Sequence, residues 1–151
     1  FSDALLGVLA QRLARRLCPA CKLAYQPDRA EIEQLLDEYC QELEQTRAFQ
    51  ADRAAARARV LAQWRERHGG ITLYRARGCA QCKQGYRGRL GLHELMLGTD
   101  RVKQLLQERA RVAALLACAL EDGMSTLKMD GIEKVLMGLT DLRTVRQVCI
   151  R

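Results

Sequence analysis

The sequence predicts a mainly α fold with a small β element. It indicates a zinc-stapled tetracysteine subdomain that carries a helical hairpin insertion, followed by a C-terminal helical bundle. Three observations support this prediction. Apolar residues recur at helical spacing along most of the 151 residues. The chain has only two prolines and 5% aromatic residues, and it contains two Cys-x-x-Cys pairs. A chain of this length is expected to form one domain or one and a half, with a modest core.

The first predicted element is a helix over residues 4–17. Leucines recur along it at helical spacing, at positions 6, 9, 13 and 17. Because little besides Ser2 and Asp3 could cap its start, we assign residues 1–17 to a helix left over from an upstream domain.

The cysteine pairs are the strongest functional signal. Two thiolates three residues apart can both face one side of a tight turn, and two such turns supply the four sulfurs that a tetrahedral Zn²⁺ binds. Such a ligand set is closed, so the metal would hold structure and have no position for a substrate. Four thiolates also suit other thiophilic metals. The predicted ligands are Cys18, Cys21, Cys79 and Cys82.

Disulfide or redox pairs are the alternative for these four residues. Residues 22–78 separate the two pairs, far more than the roughly 15–20 residues of a simple zinc ribbon. The odd total of seven cysteines and the lack of a signal-like N-terminus argue for a reducing compartment. Two paired motifs of identical spacing favour metal over redox pairs. Cys40, Cys118 and Cys149 lie on apolar faces and are predicted to be small core residues.

The long separation predicts an ordered insertion, a helical hairpin at about residues 28–68. Asp28 and Glu31 form a helix-start pattern. A second helix follows over about residues 47–67, and Gly69 ends it. The first helix is acidic and the second is rich in arginine, so an antiparallel pair would satisfy its own charges. Residues 18–97 form the predicted zinc subdomain around this hairpin.

The remaining elements are two strands and four short helices. Residues 71–74 alternate as in a strand, and residues 90–97 suggest a second one, so a small β-hairpin could carry the metal. Residues 98–151 form the predicted C-terminal helical extension. Its helices begin at Thr99 or Asp100, near Val112, at Ser125 or Thr126, and at Thr140.

Other chemistry is sparse. The sequence has no Gly-x-x-x-x-Gly-Lys-Ser/Thr loop, and no catalytic constellation is predicted. His68 is expected to be exposed, and the alternative is that it substitutes as a metal ligand. His93 and Glu94 are neighbours in a strand, so their side chains should point to opposite faces and act structurally.

The formal net charge is +7, and a basic run surrounds the second cysteine pair. This run is either a solvated surface or an anion-binding face for phosphate, lipid head groups or nucleic acid. Its residues are Arg75, Arg77, Lys83, Arg87 and Arg89.

Taken together, the sequence resembles the C-terminal region of type II secretion and type IV pilus assembly ATPases. The resemblance covers nearly the whole chain outside the hairpin, in the family's order. The matching segments are Leu6–Leu13 leading through Arg15–Leu17 to Cys18–Cys21, then Gly85–Arg89, Gly91–Leu95, Gly123–Met124, Thr126–Leu127, Asp130–Gly131, Lys134–Val135, Gly138 and Thr140.

The resemblance implies a cytoplasmic motor, peripheral to the bacterial inner membrane, that hydrolyses ATP to assemble a pilus or pseudopilus. By residue, it places the family's zinc ligands on the four cysteines named above. It also implies that residues 1–17 pack on an upstream ATPase core, and that ATP and Mg²⁺ bind only in the parent protein. This segment alone is therefore expected to be inactive. The segment between the two cysteine pairs is longer than in the family pattern.

The partners that the resemblance implies are neighbouring subunits of a homo-hexamer and inner-membrane platform proteins, with an anionic lipid surface as a further candidate. The alternative hypothesis is a free-standing basic zinc module that binds nucleic acid or another anionic partner. Few aromatic residues lie near the basic run to stack on bases, which makes nucleic acid the weaker option.

Overall fold

A computed structural model describes residues 4–149 of the chain. About half of these residues are helical, and the strands form two small antiparallel sheets. The elements are β1 (Gly7–Leu17), β2 (Leu23–Tyr25), α1 (Arg29–Gln41), α2 (Arg47–Ala51), α3 (Arg53–His68), β3 (Leu73–Arg75), β4 (Tyr86–Leu97), α4 (Asp100–Gln107), α5 (Val112–Glu121), α6 (Leu127–Leu136) and α7 (Leu142–Val148).

The predicted N-terminal helix is wrong, because residues 7–17 form the strand β1. It pairs antiparallel with β4, in a register that runs from Gly7 opposite Leu97 to Leu17 opposite Tyr86. The leucine spacing fits a helix. Local spacing determines secondary structure only weakly where a distant strand can supply hydrogen bonds to the backbone. Residues 1–3 of the predicted element lie outside the described part of the chain.

The predicted β-hairpin between residues 71–74 and 90–97 is also wrong in its pairing. Both segments contain strands, β3 and β4, but β3 pairs with β2 and β4 pairs with β1. The strand β2 has only three residues, too few for a periodic pattern to reveal. The two sheets therefore join the N-terminal segment to the segment that flanks the second cysteine pair.

The helical insertion forms, and its ion pairs follow the predicted charge pattern. Asp28 caps α1 by accepting a hydrogen bond from the Glu31 N–H at 2.9 Å. Arg57 lies 2.5 Å from Glu33 and 2.7 Å from Asp37, so basic α3 faces acidic α1. The predicted single second helix is split into α2 and α3. Its break lies at Asp52, whose carboxylate caps α3 by accepting from the Ala55 N–H.

The insertion is not self-contained, contrary to the sequence prediction. Trp64 of α3 is fully buried, with its ring 5.2 Å from that of Tyr39. Both belong to one hydrophobic core that also contains Ile132 and Val145 of the C-terminal helices. The predicted division at residue 98 therefore separates segments of the chain that share a single core.

Carboxylates of the insertion also bind the C-terminal helices directly. Glu38 of α1 lies 3.0 Å from Lys128 and 2.5 Å from Arg146. These two cations, with Arg146 the larger influence, lower the pKa of Glu38. His68, predicted to be exposed, is half-buried, and its Nε2 lies 3.0 Å from Glu133 of α6.

The C-terminal helices begin close to their predicted caps. Thr99 caps α4 and Thr126 caps α6 through their side-chain oxygens. The prediction of Thr140 as a cap is wrong: Asp141 caps α7 by accepting from the Thr144 N–H at 2.9 Å. Thr140 is instead fully buried, and its hydroxyl donates to the Arg15 carbonyl.

We predict that Trp64→Ala lowers the free energy of unfolding by about 3–5 kcal/mol, because it leaves a cavity in the shared core. Urea unfolding followed by far-UV circular dichroism should show one transition that moves as a whole. The control is Arg65→Ala, an exposed position on the same helix, which should change stability by less than about 0.5 kcal/mol. Separate melting of the insertion, with the C-terminal helices intact, would contradict the shared core.

Candidate metal centre

The four predicted ligands converge at one place in the fold. The Sγ atoms of Cys18 and Cys79 lie 3.9 Å apart, those of Cys21 and Cys82 3.8 Å apart, and those of Cys79 and Cys82 3.6 Å apart. All four sulfur atoms lie within 4.8 Å of one another. A tetrahedral site with zinc–sulfur distances of about 2.3 Å has sulfur atoms about 3.8 Å apart. The spacing therefore suits a four-thiolate metal site, and it is too long for disulfide bonds.

Each cysteine pair lies in the turn between two strands. The first turn, Cys18–Cys21, connects β1 to β2, and the second, Cys79–Cys82, connects β3 to β4. In both turns the amide of the second cysteine donates to the carbonyl of the first, at 3.4 Å. The Cys18 amide also donates to the Gly85 carbonyl at 2.8 Å, which joins the two turns directly.

Gly85 is required by both conformation and space. Its φ is +97°, in the left-handed region that side chains rarely adopt, and a Cβ there would lie 2.5 Å from that of Ala76. This close approach lets the chain turn back immediately after the second cysteine pair.

Cys21 and Cys82, one from each turn, have pKa values shifted in opposite directions. Desolvation acts against ionisation of Cys82, but the N–H groups of Cys79 and Gly85 and the neighbouring thiols outweigh it and lower the pKa of Cys82 to about 7. Burial raises the pKa of Cys21 to about 11. Without metal, the Cys82 thiol therefore ionises at a lower pH than the Cys21 thiol, and a thiolate on Cys82 disfavours a second one on Cys21.

The other three cysteines lie away from this cluster. Cys40 and Cys118 are buried in the shared core, and Cys149 is partly buried against it. Burial raises the pKa of Cys40 to about 11. These positions agree with their interpretation as small apolar residues.

His93 and Glu94 do not form an acid–base couple. His93 is exposed, whereas Glu94 accepts a hydrogen bond from the Leu127 N–H at the start of α6. The backbone N–H of His93 donates to Asp130 at 2.9 Å. Both residues therefore help fasten β4 to α6.

Sequence reasoning missed the contact between the cysteine turns and the α6–α7 turn. Lys22 donates to the Gly138 carbonyl at 2.7 Å, and the Leu17 amide donates to the Leu139 carbonyl at 2.9 Å. Tyr86 donates its hydroxyl proton to Asp141, the cap of α7. Residues next to the cysteines therefore hold the α6–α7 turn in place. Residue spacing carries no signal for such contacts between distant segments.

The basic run lies at the surface of this region. Its five residues are all exposed, and within residues 4–149 none of them forms an ion pair. The Arg75 guanidinium lies over the Tyr25 ring at 4.2 Å. An open groove of about 360 Å³ lies beside the second cysteine turn, lined by Cys82, Lys83, Tyr86 and Arg87 among others.

Among the described residues, no helix has the length and apolar character needed to cross a membrane.

The chain is similar to proteins of type II secretion and type IV pilus assembly. The family model described as "Type II/IV secretion system protein" matches residues 1–147. The type II secretion system ATPase E of Vibrio cholerae is 34% identical over 97% of this chain and 24% of its own length. The type II secretion system protein E of Pseudomonas aeruginosa is 37% identical, with the same coverage. The type IV pilus assembly ATPase PilB of Thermus thermophilus is 31% identical over 95% of this chain and 13% of its own. The chain thus spans a quarter or less of the length of these relatives.

We predict that zinc affinity falls as the pH is lowered, because the metal displaces protons from thiols. The fall should steepen below about pH 7, where Cys82, whose pKa is about 7 in the metal-free site, is also protonated. Competition with a coloured chelator over a pH series measures this slope. Cys118→Ala, outside the cluster, should bind the same amount of zinc. An affinity that does not depend on pH would argue against thiolate ligands.

Proposed function

The chain belongs to the type II/IV secretion system protein family, and on that premise we propose that it is the zinc-binding C-terminal region of a motor ATPase. The motor powers assembly of a pilus or pseudopilus and protein secretion. The observation that carries the proposal is the convergence of four cysteines in a chain that matches the family model over residues 1–147.

The metal has a structural role in this proposal. Cys18, Cys21, Cys79 and Cys82 would hold it, and four thiolates fill its coordination sphere. A bound zinc would supply folding free energy to the turns that contact the α6–α7 turn. The 151 residues carry no phosphate-binding loop, so ATP and Mg²⁺ bind in another part of the parent motor, and this region alone turns over no ATP.

One face of the β1–β4 ribbon is the proposed attachment surface for the upstream ATPase core. The register places Leu9 opposite Leu95 and Gly7 opposite Leu97, so these side chains share a face with Leu13. The four leucines are 46–62% exposed. The opposite face is covered at the end nearest the cysteines, where Ala14 and Leu92 are fully buried, and Val8 on that face is 50% exposed. A row of exposed leucines is costly in water, which favours a covering partner.

The other partners follow from the parent's proposed role: neighbouring subunits of a homo-hexamer, platform proteins of the bacterial inner membrane and its anionic lipid surface. The motor would act at the cytoplasmic side of that membrane. The five unpaired cations of the basic run suit an anionic surface.

The nucleic-acid alternative has less support. Stacking on bases requires open aromatic faces. Lys22 lies 4.4 Å from the centre of the Tyr74 ring and Arg15 lies 4.1 Å from that of Tyr86. The two aromatic rings near the basic run are therefore already covered by cations of the same chain.

We predict that the double variant Leu9→Ser and Leu95→Ser keeps the stability of this chain within about 0.5 kcal/mol per site, because both side chains are already exposed. It should weaken binding to a separately produced upstream ATPase part, and it should lower ATP hydrolysis by the complete motor. Sedimentation of the mixture and a phosphate-release assay measure the two effects.

The matched control for this experiment is Leu23→Ser, which changes a 44% exposed leucine in the other sheet. It should leave binding and hydrolysis unchanged. Equal binding by the double variant and the unmodified chain would contradict the proposed attachment surface.

A further inference from the structure

The four cysteines of the candidate metal centre differ sharply in their exposure. Cys18 and Cys21 are buried, with 0% and 8% of their surface accessible. Cys79 is exposed, and Cys82 is half-buried. A reagent in solution therefore meets the second cysteine pair first.

The residues around the first cysteine pair are also less accessible than those around the second. The first turn lies between two contacts with the α6–α7 turn, one from Leu17 and one from Lys22. In the second turn, by contrast, Ala80, Gln81 and Lys83 are all exposed. The thiols of the second turn can therefore react with a molecule in solution, since no buried side chain has to move out of the way.

The groove beside the second turn has the character of an anion-binding site. Its volume is about 360 Å³, and Cys82 lines it together with Lys83 and Arg87. Neither of these two cations pairs with a carboxylate within residues 4–149. Unpaired cations raise the local concentration of anionic molecules. A small molecule that carries carboxylates would therefore be held next to the Cys82 sulfur.

We propose that Cys79 and Cys82 form an oxidisable pair that reacts with small disulfides bearing carboxylates, while Cys18 and Cys21 stay reduced. The proposal rests on the proposed zinc function, because Cys79 and Cys82 are two of the four predicted zinc ligands. Their oxidation would remove these two ligands from the metal. The proposal also gives the basic run a role at the metal centre.

The reaction is a two-step thiol–disulfide exchange. The Cys82 thiolate attacks one sulfur of the small disulfide, which forms a mixed disulfide and expels one small thiolate. The Cys79 thiolate, whose Sγ lies 3.6 Å from that of Cys82, then attacks the Cys82 sulfur and expels the second. Two electrons pass from the protein pair to the small disulfide. A zinc ion held by Cys18, Cys21, Cys79 and Cys82 would lose two of its four ligands in this reaction and be released.

Oxidised glutathione is the probe, applied to the chain as purified under reducing conditions and then freed of reductant. Samples are quenched by alkylation at successive times, and their disulfides are mapped by mass spectrometry. We expect a Cys79–Cys82 disulfide to form first, with Cys18 and Cys21 alkylated as free thiols and any zinc appearing in a coloured chelator at the same rate. A first disulfide between Cys18 and Cys21, or between the two turns, would overturn the proposal.

The role of the groove is tested with Arg87→Gln, an exposed position. This variant should slow the reaction with oxidised glutathione by a few-fold, and leave the rate with the uncharged disulfide of 2-mercaptoethanol unchanged. Arg59→Gln, exposed on α3, is the control and should change neither rate. Equal slowing with both reagents would overturn the electrostatic assignment.

Zinc content is measured separately on the same preparation. A preparation without zinc would count against the proposed metal function. The position of the first disulfide decides the present inference with or without metal, so the two failures are distinguishable.

Discussion

The two antiparallel ladders that flank the four cysteines are the constraint on which the rest of the structure depends. Strand β1 ends at Leu17, opposite Tyr86, and β2 begins at Leu23, opposite Arg75. The first cysteine turn lies between β1 and β2, and the second lies between their partners. Pairing of the strands therefore brings the two turns together and explains how thiols so distant in the chain come within 4.8 Å. Because closure entropy grows slowly with loop length, the long insertion between the turns is tolerable, and its ordered helices contribute core contacts of their own.

Contacts outside the two sheets connect the candidate metal centre to the C-terminal helices. Lys22 and Leu17, on either side of the first turn, bind the α6–α7 turn. Gly138, in that turn, has a φ of +79°, and a Cβ there would lie 2.7 Å from the Tyr74 ring. Helix α7 in turn contacts the insertion through Arg146 and Glu38. A chain of contacts thus runs from the cysteines through the terminal helices to the insertion. A metal bound by the four cysteines would therefore stabilise all three parts.

The sequence was sufficient where the signal is local. The Cys-x-x-Cys spacing is itself the geometry of a metal-binding turn, and the caps at Asp28, Thr99 and Thr126 act within one helical turn. It was insufficient where a residue depends on a distant partner. Residues 7–17 carry leucines at helical spacing, yet they form a strand because β4 pairs with them. The charges of the insertion suggested a self-contained hairpin, but Glu38 and His68 bind C-terminal helices. No periodic pattern encodes those contacts.

The measurement that tests the account most directly is zinc stoichiometry combined with X-ray absorption at the zinc edge, on protein purified without added metal. The account predicts about one zinc per chain, with four sulfur neighbours at about 2.3 Å. Chelation should then release four thiols to a thiol reagent, those of Cys18, Cys21, Cys79 and Cys82. Protein that contains no metal, or zinc with oxygen or nitrogen neighbours in place of sulfur, would contradict the four-thiolate centre and its structural role.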